Sequence, residues 1–386
     1  MSDHKLRIII NTNAPWATSG YSMQAMELLP LIRDEKYPLA CIDFYGLEGG
    51  ILSIDGIVHY PRMNHVYGSD ALIHHGKDFN ADVAMTLQDT WVLNPEDLKK
   101  VNHFIPLVPI DHDPIPAAVL EKLRFAYRIV TYSQFGQKEL ERVGLHSTYI
   151  QHTVNTEIYH PMDKKELKRQ AKLPDDCYIL GMVAANKDNP PRKSFQEVME
   201  AFQVFLQKYP NSFLYLHTNP DEPGGFPLKE YAKVLGITDK VLYPDPYAIR
   251  FKVKKEQMAQ IYNTMDVLLM PSVSEGFGVP AIEAQACGVP VITNNFTSMP
   301  ELVQNHLTGE VCDVMCKRFD FILSYVAIPN PKSIYDCLIK IKMSDYERRS
   351  QKAREWAVEN YDTKKVFNTK WLPFLQQLEN EIYPTT

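Results

Sequence analysis

The chain has 386 residues, 45% of them hydrophobic, and a formal net charge of −6 at pH 7. That length exceeds the usual single domain and is ample for two cores, while the acidic balance argues against a protein built to coat nucleic acid or an anionic membrane. Its six cysteines are scattered, with Cys312 and Cys316 the only close pair, so neither a disulfide framework nor a zinc site is indicated and reduced thiols are expected. No apolar run approaches membrane-spanning length and no cleavable apolar leader opens the chain. The expectation is a cytoplasmic protein, with peripheral membrane contact left open.

Leu6–Ile10 reads as a first strand, Asn11–Ser19 as a turn-rich loop and Gly20–Leu29 as a helix by its apolar spacing. A strand, a small-residue loop and a helix make a ligand-facing crevice, although Ser19-Gly20 serves equally as a plain N-cap. There is no G-x-G-x-x-G, which counts against a nicotinamide or flavin enzyme. Leu39–Phe44, Asp82–Thr86, Phe104–Pro109 and Arg128–Tyr132 continue as strands, with helical patterns at Ala117–Phe125 and Gln134–Val143. The alternation predicts a mainly parallel, doubly wound sheet. Asp111-His112-Asp113-Pro114 follows the Phe104 strand at its carboxyl end, where α/β proteins bind ligands. Two aspartates offer His112 partners for orientation and charge, and a capped turn is the structural alternative. Gln88-Asp89-Thr90-Trp91 follows the preceding strand in the same way.

After the segment Gln151–Pro161, Lys164–Lys172 is charge-rich and reads as a solvated helix face. A second βα series opens with the strand Tyr178–Ala184, the loop Asn186–Phe195 and the helix Phe195–Gln207. Cations in this proline-stiffened loop, at a strand's carboxyl end, are suited to meet a diphosphate. Phe213–Thr218 and Val241–Tyr243 are further strands, and Lys255–Tyr262 is an amphipathic helix. Asp320–Pro331 shows no familiar pattern, and Ser333–Lys342, Asp345–Tyr361 and Lys364–Tyr383 are helical.

The most informative stretch is a βαβ unit: strand Asp266–Met270, loop and helix from Ser274 to Ala286, strand Val289–Thr293. Pro280 suits the helix's first turn and Gly288 the left-handed residue that ends it. Gly276 and Gly278 let the backbone approach a ligand, so the helix N-terminus offers an anion site. Glu275 lies in the loop and Glu283 in the first turn, and two carboxylates flanking an anion site describe a pocket for phosphates and sugar hydroxyls.

Glu275 to Glu283, with its flanking strand and the run Ala284-Gln285-Ala286-Cys287-Gly288-Val289-Pro290-Val291-Ile292, resembles the E-x7-E signature of the retaining glycosyltransferases of family 4. Gln151–Pro161 is similar to that family's interdomain H-G-V-D-x-x-x-F-x-P, but Thr153 replaces the glycine and Asn155 the aspartate. The resemblance implies an α/β GT-B fold, two Rossmann-like doubly wound domains facing a central cleft. An acceptor-binding domain would span 1–158 and a donor-binding domain 159–363. The helix 364–386 would either return to the first domain or stay in the core of the second. The implied reaction is retaining, metal-independent transfer of a hexose-like sugar from a nucleoside-diphosphate-sugar to an unidentified hydroxyl acceptor, a glycan, a lipid or a small molecule. The leaving phosphate takes the acceptor's proton, so no cofactor or nucleophile is required.

His112, Glu275 and Lys193 carry the catalytic roles in this resemblance. The donor would lie on Ser19, Gly20, Lys187, Arg192, Lys193, Glu275, Gly276, Phe277, Gly278, Val279 and Glu283, with Pro244–Tyr247 against the base. Glu283 would hold the ribose and Glu275 the sugar hydroxyls. Tyr21, Asp89, Trp91, Asp111 and Asp113 would face the acceptor. Two other classes stay open: a sugar-nucleotide-binding protein without activity, and a transferase acting on modified DNA bases, nucleic acid entering only as acceptor. Donor sugar, base, acceptor and oligomeric state are not written in these motifs.

Overall fold

Runs of β-branched and aliphatic residues between turn residues set the strands, and in the computed structural model, which describes residues 5–174, 176–251 and 253–384, they build two sheets and a hairpin. The chain divides into two units, Met1–Thr153 with Phe321–Ser324 and Thr363–Thr386, and Val154–Asp320 with Tyr325–Asp362. The boundary falls at Thr153/Val154 rather than 158/159 for a definite reason. Gln24 holds both backbone groups of Thr153, at 2.9 and 3.0 Å, within the first unit, while the Val154 N–H donates to the Tyr361 carbonyl at 2.9 Å within the second.

In the first unit β1 (Ile8–Asn13), β2 (Leu39–Tyr45), β3 (Leu52–Ile54), β4 (Ile57–Pro61), β5 (Val83–Leu87), β6 (Phe104–Val108), β7 (Val130–Thr131) and β8 (Thr148–Tyr149) form one sheet in the order β3-β4-β2-β1-β5-β6-β7-β8. Every neighbouring pair is parallel except the β3–β4 hairpin. The first strand runs on to Asn13, past the predicted Ile10, and the donor groups of its buried polar side chains find acceptors. Asn11 donates to the Tyr67 carbonyl at 2.9 Å and Thr12 to that of Leu87 at 3.1 Å. The C-terminal helical stretch packs on this unit. It runs through Thr363–Val366, a π-helical turn Phe367–Trp371 and Leu372–Ile382, buries Trp371, Phe374, Leu375 and Leu378, and binds Tyr37 through Glu379 and Arg128 through Glu381.

In the second unit β9 (Tyr178–Val183), β10 (Ser212–His217), β11 (Val241–Leu242), β12 (Val267–Met270), β13 (Val291–Asn294) and β14 (Gly309–Cys312) form an all-parallel sheet in the order β11-β10-β9-β12-β13-β14. The chain's direction of travel reverses between β9 and β12, and a doubly wound sheet opens a crevice at the carboxyl ends of such strands. The stretch without a familiar pattern, Asp320–Pro331, holds the turn and second strand of an antiparallel hairpin, β15 (Val314–Phe319) and β16 (Tyr325–Pro329). Most of β15 is exposed, so no alternation of apolar and polar residues marked it. Helix Ser69–Asp78 and strands β3, β4, β8 and β14 are likewise additions to the sequence reading. No described helix is long and apolar enough to cross a membrane.

The solvated face expected at Lys164–Lys172 is there in part, with Lys165, Arg169 and Lys172 exposed, but Lys168 is buried. Helix Lys164–Gln170 turns Lys168, 4% exposed on its side with Lys164, onto Asp266 at the entrance of β12, with Nζ–O distances of 2.9 and 3.0 Å. The same carboxylate accepts the Ile179 N–H at 2.8 Å. A carboxylate buried between two strands needs such counter-charges. Burial alone would raise its pKa, but Lys164 and Lys168 outweigh burial and hold Asp266 below the usual carboxylate range. A depressed acid pKa stabilises the fold above the ordinary carboxylate pKa, and that contribution is lost as pH falls through the folded value. Asp266→Asn should therefore cost about 3–5 kcal/mol at pH 7, and its urea denaturation curve should approach that of the unmutated protein as both are taken below about pH 4. A gap that stays constant with pH would refute the assignment.

Candidate active site

The loops after β9 and β12 are tied together before any side-chain chemistry begins. The Val273 N–H donates to the Arg192 carbonyl at 2.8 Å, and Arg192 Nη1 donates to the Ser274 carbonyl at 2.8 Å. Asn186 stiffens the first loop from its other end, exchanging two hydrogen bonds of 2.9 Å with the backbone of Phe226. This lattice brings Lys193 into a direct ion pair with Glu275, and Arg192 Nη1 stands 3.8 Å from the same carboxylate. Two cations converge on one half-buried carboxylate. Burial, and then Arg192, pull the Lys193 pKa down; for Glu275, burial is outweighed by Lys193 and Arg192, which hold the carboxyl below its usual range. Lys187 stands exposed in the same loop, outside this ion pair.

From the other side, hydroxyls after β13 fix the Glu275 loop. Thr297 and Ser298 donate to the Glu275 carbonyl at 3.1 and 2.8 Å, and Ser298 also reaches the Phe277 carbonyl at 3.2 Å. Phe277 is buried, its ring edge-to-face with Tyr361 at 5.9 Å. Helix Val279–Ala286 then starts from Gly278, with Pro280 in its first turn and Gly288 in the left-handed region at its end. The half-buried Gly276 and Val279 flank this helix start.

Two features differ from the sequence reading. Gly278 is demanded by its φ of +118° and by the protein itself, because a Cβ there would stand 2.5 Å from Met270 Cε and 3.1 Å from Leu302 Cδ1. The room its missing side chain leaves is thus filled from within rather than opened to a ligand. Glu283 lies beyond the helix's first turn, 8% exposed, and accepts the Tyr262 hydroxyl at 2.7 Å. One of its oxygens is engaged inside the fold.

The first unit has its own reversal, between β1 and β5. Ser19 is the N-cap of helix Gly20–Asp34: its Oγ accepts the Ser22 N–H at 3.0 Å and the Asn13 amide at 2.6 Å, and Gly20, exposed, begins the helix. Tyr21 donates to Asp89 at 3.1 Å, and burial, reinforced by Asp89, pushes its pKa up, so it remains a donor at neutral pH. Past β6, His112 is buried with Nδ1 2.6 Å from Asp111 Oδ1, and Asp113 is half-buried beside it.

Residues that the sequence did not mark complete both sites. Thr297, Ser298 and Tyr262 had only their position as a signal, the first two at a strand's carboxyl end. Phe321 had none: it meets Trp91 edge-to-face at 6.1 Å, while Ser324 donates to the Pro114 carbonyl, both contacts lying within the first unit. Beyond β11, Tyr247 lies on the short helix Pro246–Phe251 and is exposed.

Residues 163–317 match the model of the family described as Glycosyl transferases group 1. Both halves of the Lys193–Glu275 pair, and Glu283, lie inside that segment. A D-inositol 3-phosphate glycosyltransferase from Mycobacteroides abscessus is 40% identical over 161 residues, 40% of this chain and 33% of that protein, so the match spans about a third of the relative's length. Among solved structures, sucrose-phosphate synthase from Thermosynechococcus elongatus superposes with a TM-score of 0.77 at 14% identity, over 97% of this chain and 99% of that one. The Anabaena protein Alr3699/HepE, in complex with UDP and glucose, gives 0.71 at 14% identity over 96% and 100%. The fold is GT-B, with two Rossmann-like α/β units.

Because φ is strained for any side chain at Gly278 and a Cβ would have to displace the end of Met270, Gly278→Ala should lower stability by about 1–3 kcal/mol, read as a shift in the denaturation midpoint. An unchanged midpoint would mean that Met270 yields freely.

Proposed function

We propose that the chain is a retaining glycosyltransferase of the family 4 kind, moving a hexose-like sugar from a nucleoside-diphosphate-sugar to a hydroxyl acceptor without a catalytic metal. The observation that carries this reading is the convergence of Lys193 and Arg192 on Glu275 at the reversal point of the second sheet, inside the segment that matches group 1 glycosyl transferases. The name of the M. abscessus relative and the UDP bound by the Anabaena protein support a sugar nucleotide as the donor.

In this reading the second unit binds the donor and the first binds the acceptor. The diphosphate competes for Lys193 and Arg192, with Lys187 assisting. The Glu275 carboxylate, released from its partner, then accepts hydrogen bonds from the sugar hydroxyls. Glu283 takes the ribose, and the backbone of Gly276, Phe277, Gly278 and Val279 lines the sugar and its phosphate. As the anomeric C–O bond to the diphosphate breaks, the acceptor oxygen bonds to the same face of the sugar. A leaving-phosphate oxygen takes the acceptor's proton. Fixed cations aimed at the departing charge lower the barrier without a protein nucleophile. On the first unit, His112 oriented by Asp111, together with Tyr21, Asp89 and Asp113, faces the acceptor, and Trp91 and Phe321 add an aromatic surface suited to a sugar ring.

Lys193→Ala should cost a few kcal/mol of barrier, about a hundredfold in turnover, and weaken donor binding. The test is a panel of sugar nucleotides, reading which one raises the melting temperature and which releases diphosphate. Stabilisation without release by any acceptor would leave a binding protein, and no stabilisation by any donor would remove the proposal. Phe321→Ala, outside the donor cluster, should raise the acceptor KM about tenfold and leave the donor-induced melting shift unchanged.

A further inference from the structure

Away from the residues considered so far, three chemically distinct metal-binding side chains meet inside the first unit. Strands β2 and β4 are parallel neighbours whose register sets Cys41 beside His59, and Asp43, two residues on, projects from the same face of β2. Their exposures are 0%, 0% and 2%. One ligand atom from each, the Cys41 sulfur, an Asp43 oxygen and a His59 ring nitrogen, lies within 4.8 Å of the other two. His59 Nδ1 is 2.7 Å from Asp43 Oδ2. The other oxygen, Oδ1, is buried and has no hydrogen-bond partner among the described residues.

A histidine–aspartate hydrogen bond beside an ordinary buried thiol would be the plain account of this cluster. It leaves a carboxylate with no access to water and only one partner, and burying such a group is costly. A divalent cation resolves the imbalance: with a thiolate, a carboxylate and a neutral imidazole it sums to zero charge and gives the second oxygen a role.

We propose that Cys41, Asp43 and His59 form a metal site for zinc or a similar borderline transition metal. Sulfur and imidazole nitrogen beside a single carboxylate suit such an ion and not the all-oxygen cations calcium and magnesium. Binding expels the thiol proton and any proton held between Asp43 and His59. The role is structural. The Trp16 ring lies 5.1 Å from His59, its indole N–H donates to the Gly46 carbonyl at 2.8 Å, and a Cβ at Gly46 would stand 2.8 Å from Ala14 Cβ. The metal would therefore clip β2 to β4 beneath the 14–17 loop that leads to the Ser19 cap, and no step of sugar transfer passes through it.

The test uses the full chain, expressed with added zinc or refolded with cobalt(II). Stoichiometric metal in the purified protein and a thiolate-to-cobalt charge-transfer band are expected, both lost in Cys41→Ser and His59→Gln. Both should survive in Cys316→Ser, which removes an exposed thiol elsewhere. Zinc should raise the melting temperature of the unmutated chain and not that of Asp43→Asn. Metal-free protein with no cobalt–thiolate band after refolding would overturn the site. So would a band that persists in Cys41→Ser. If the Cys41 variant does not fold, His59→Gln and the metal content of the unmutated chain decide. Donor binding through the Lys193 cluster is read separately, so failure here leaves the proposed function standing.

Discussion

Lys193 and Glu275 lie 82 positions apart and meet in one ion pair, and the functional reading of this chain depends on that meeting. Neither side chain would be held without the backbone beneath it. The Arg192 peptide and guanidinium bind the Val273–Ser274 backbone, and Thr297 and Ser298 bind the Glu275 carbonyl from the next strand. Three loops at the carboxyl ends of adjacent strands are thereby locked to one another, and side chains on such a support lose little further freedom when a ligand arrives. A carboxylate shared by two cations is also poised for exchange, since an incoming polyanion satisfies the cations as well as Glu275 does.

The same architectural device appears twice. In each sheet the chain winds outward from a central strand, returns, and continues on the other side, leaving β1 beside β5 and β9 beside β12. Helices must leave the sheet on opposite faces at such a reversal, so loops part there and side chains can point into the gap. The first unit sets Tyr21 on Asp89 at this gap, and His112 on Asp111 past β6. The second uses its gap for cations and a glycine-started helix. Polar groups buried at the first strand's end, Asn11, Thr12 and Asn13, are kept in place by specific acceptors rather than by solvent.

Much of this was legible in the linear chain because it depends on local rules. Apolar runs of strand length alternating with helical spacing announce a doubly wound fold. Gly278, Pro280 and Gly288 punctuate one short helix through backbone sterics alone, and the loop after β9 declares its charge. What was misread involved partners distant in sequence. Lys168 sits in a run of charges that looks solvated, and only Asp266, 98 residues on, makes burying it favourable. Glu283 and Gly278 carried the right residue types, and the fold adds the Tyr262 hydroxyl and the Met270 methyl as neighbours that no local pattern announces. Strand β15 gave no periodic signal, because a strand exposed on both faces has no reason to alternate.

The sequence by itself determined the α/β class, the two-unit organisation and the motif string from Glu275 to Glu283. Those follow from propensity, periodicity and spacing, which act over a few residues. Only the tertiary structure decided which charges are mated, that Phe321 joins Trp91, and that Cys41, Asp43 and His59 share one buried pocket. Such choices depend on strand register and on the cost of leaving a buried charge alone, quantities that exist only once distant segments have been brought side by side.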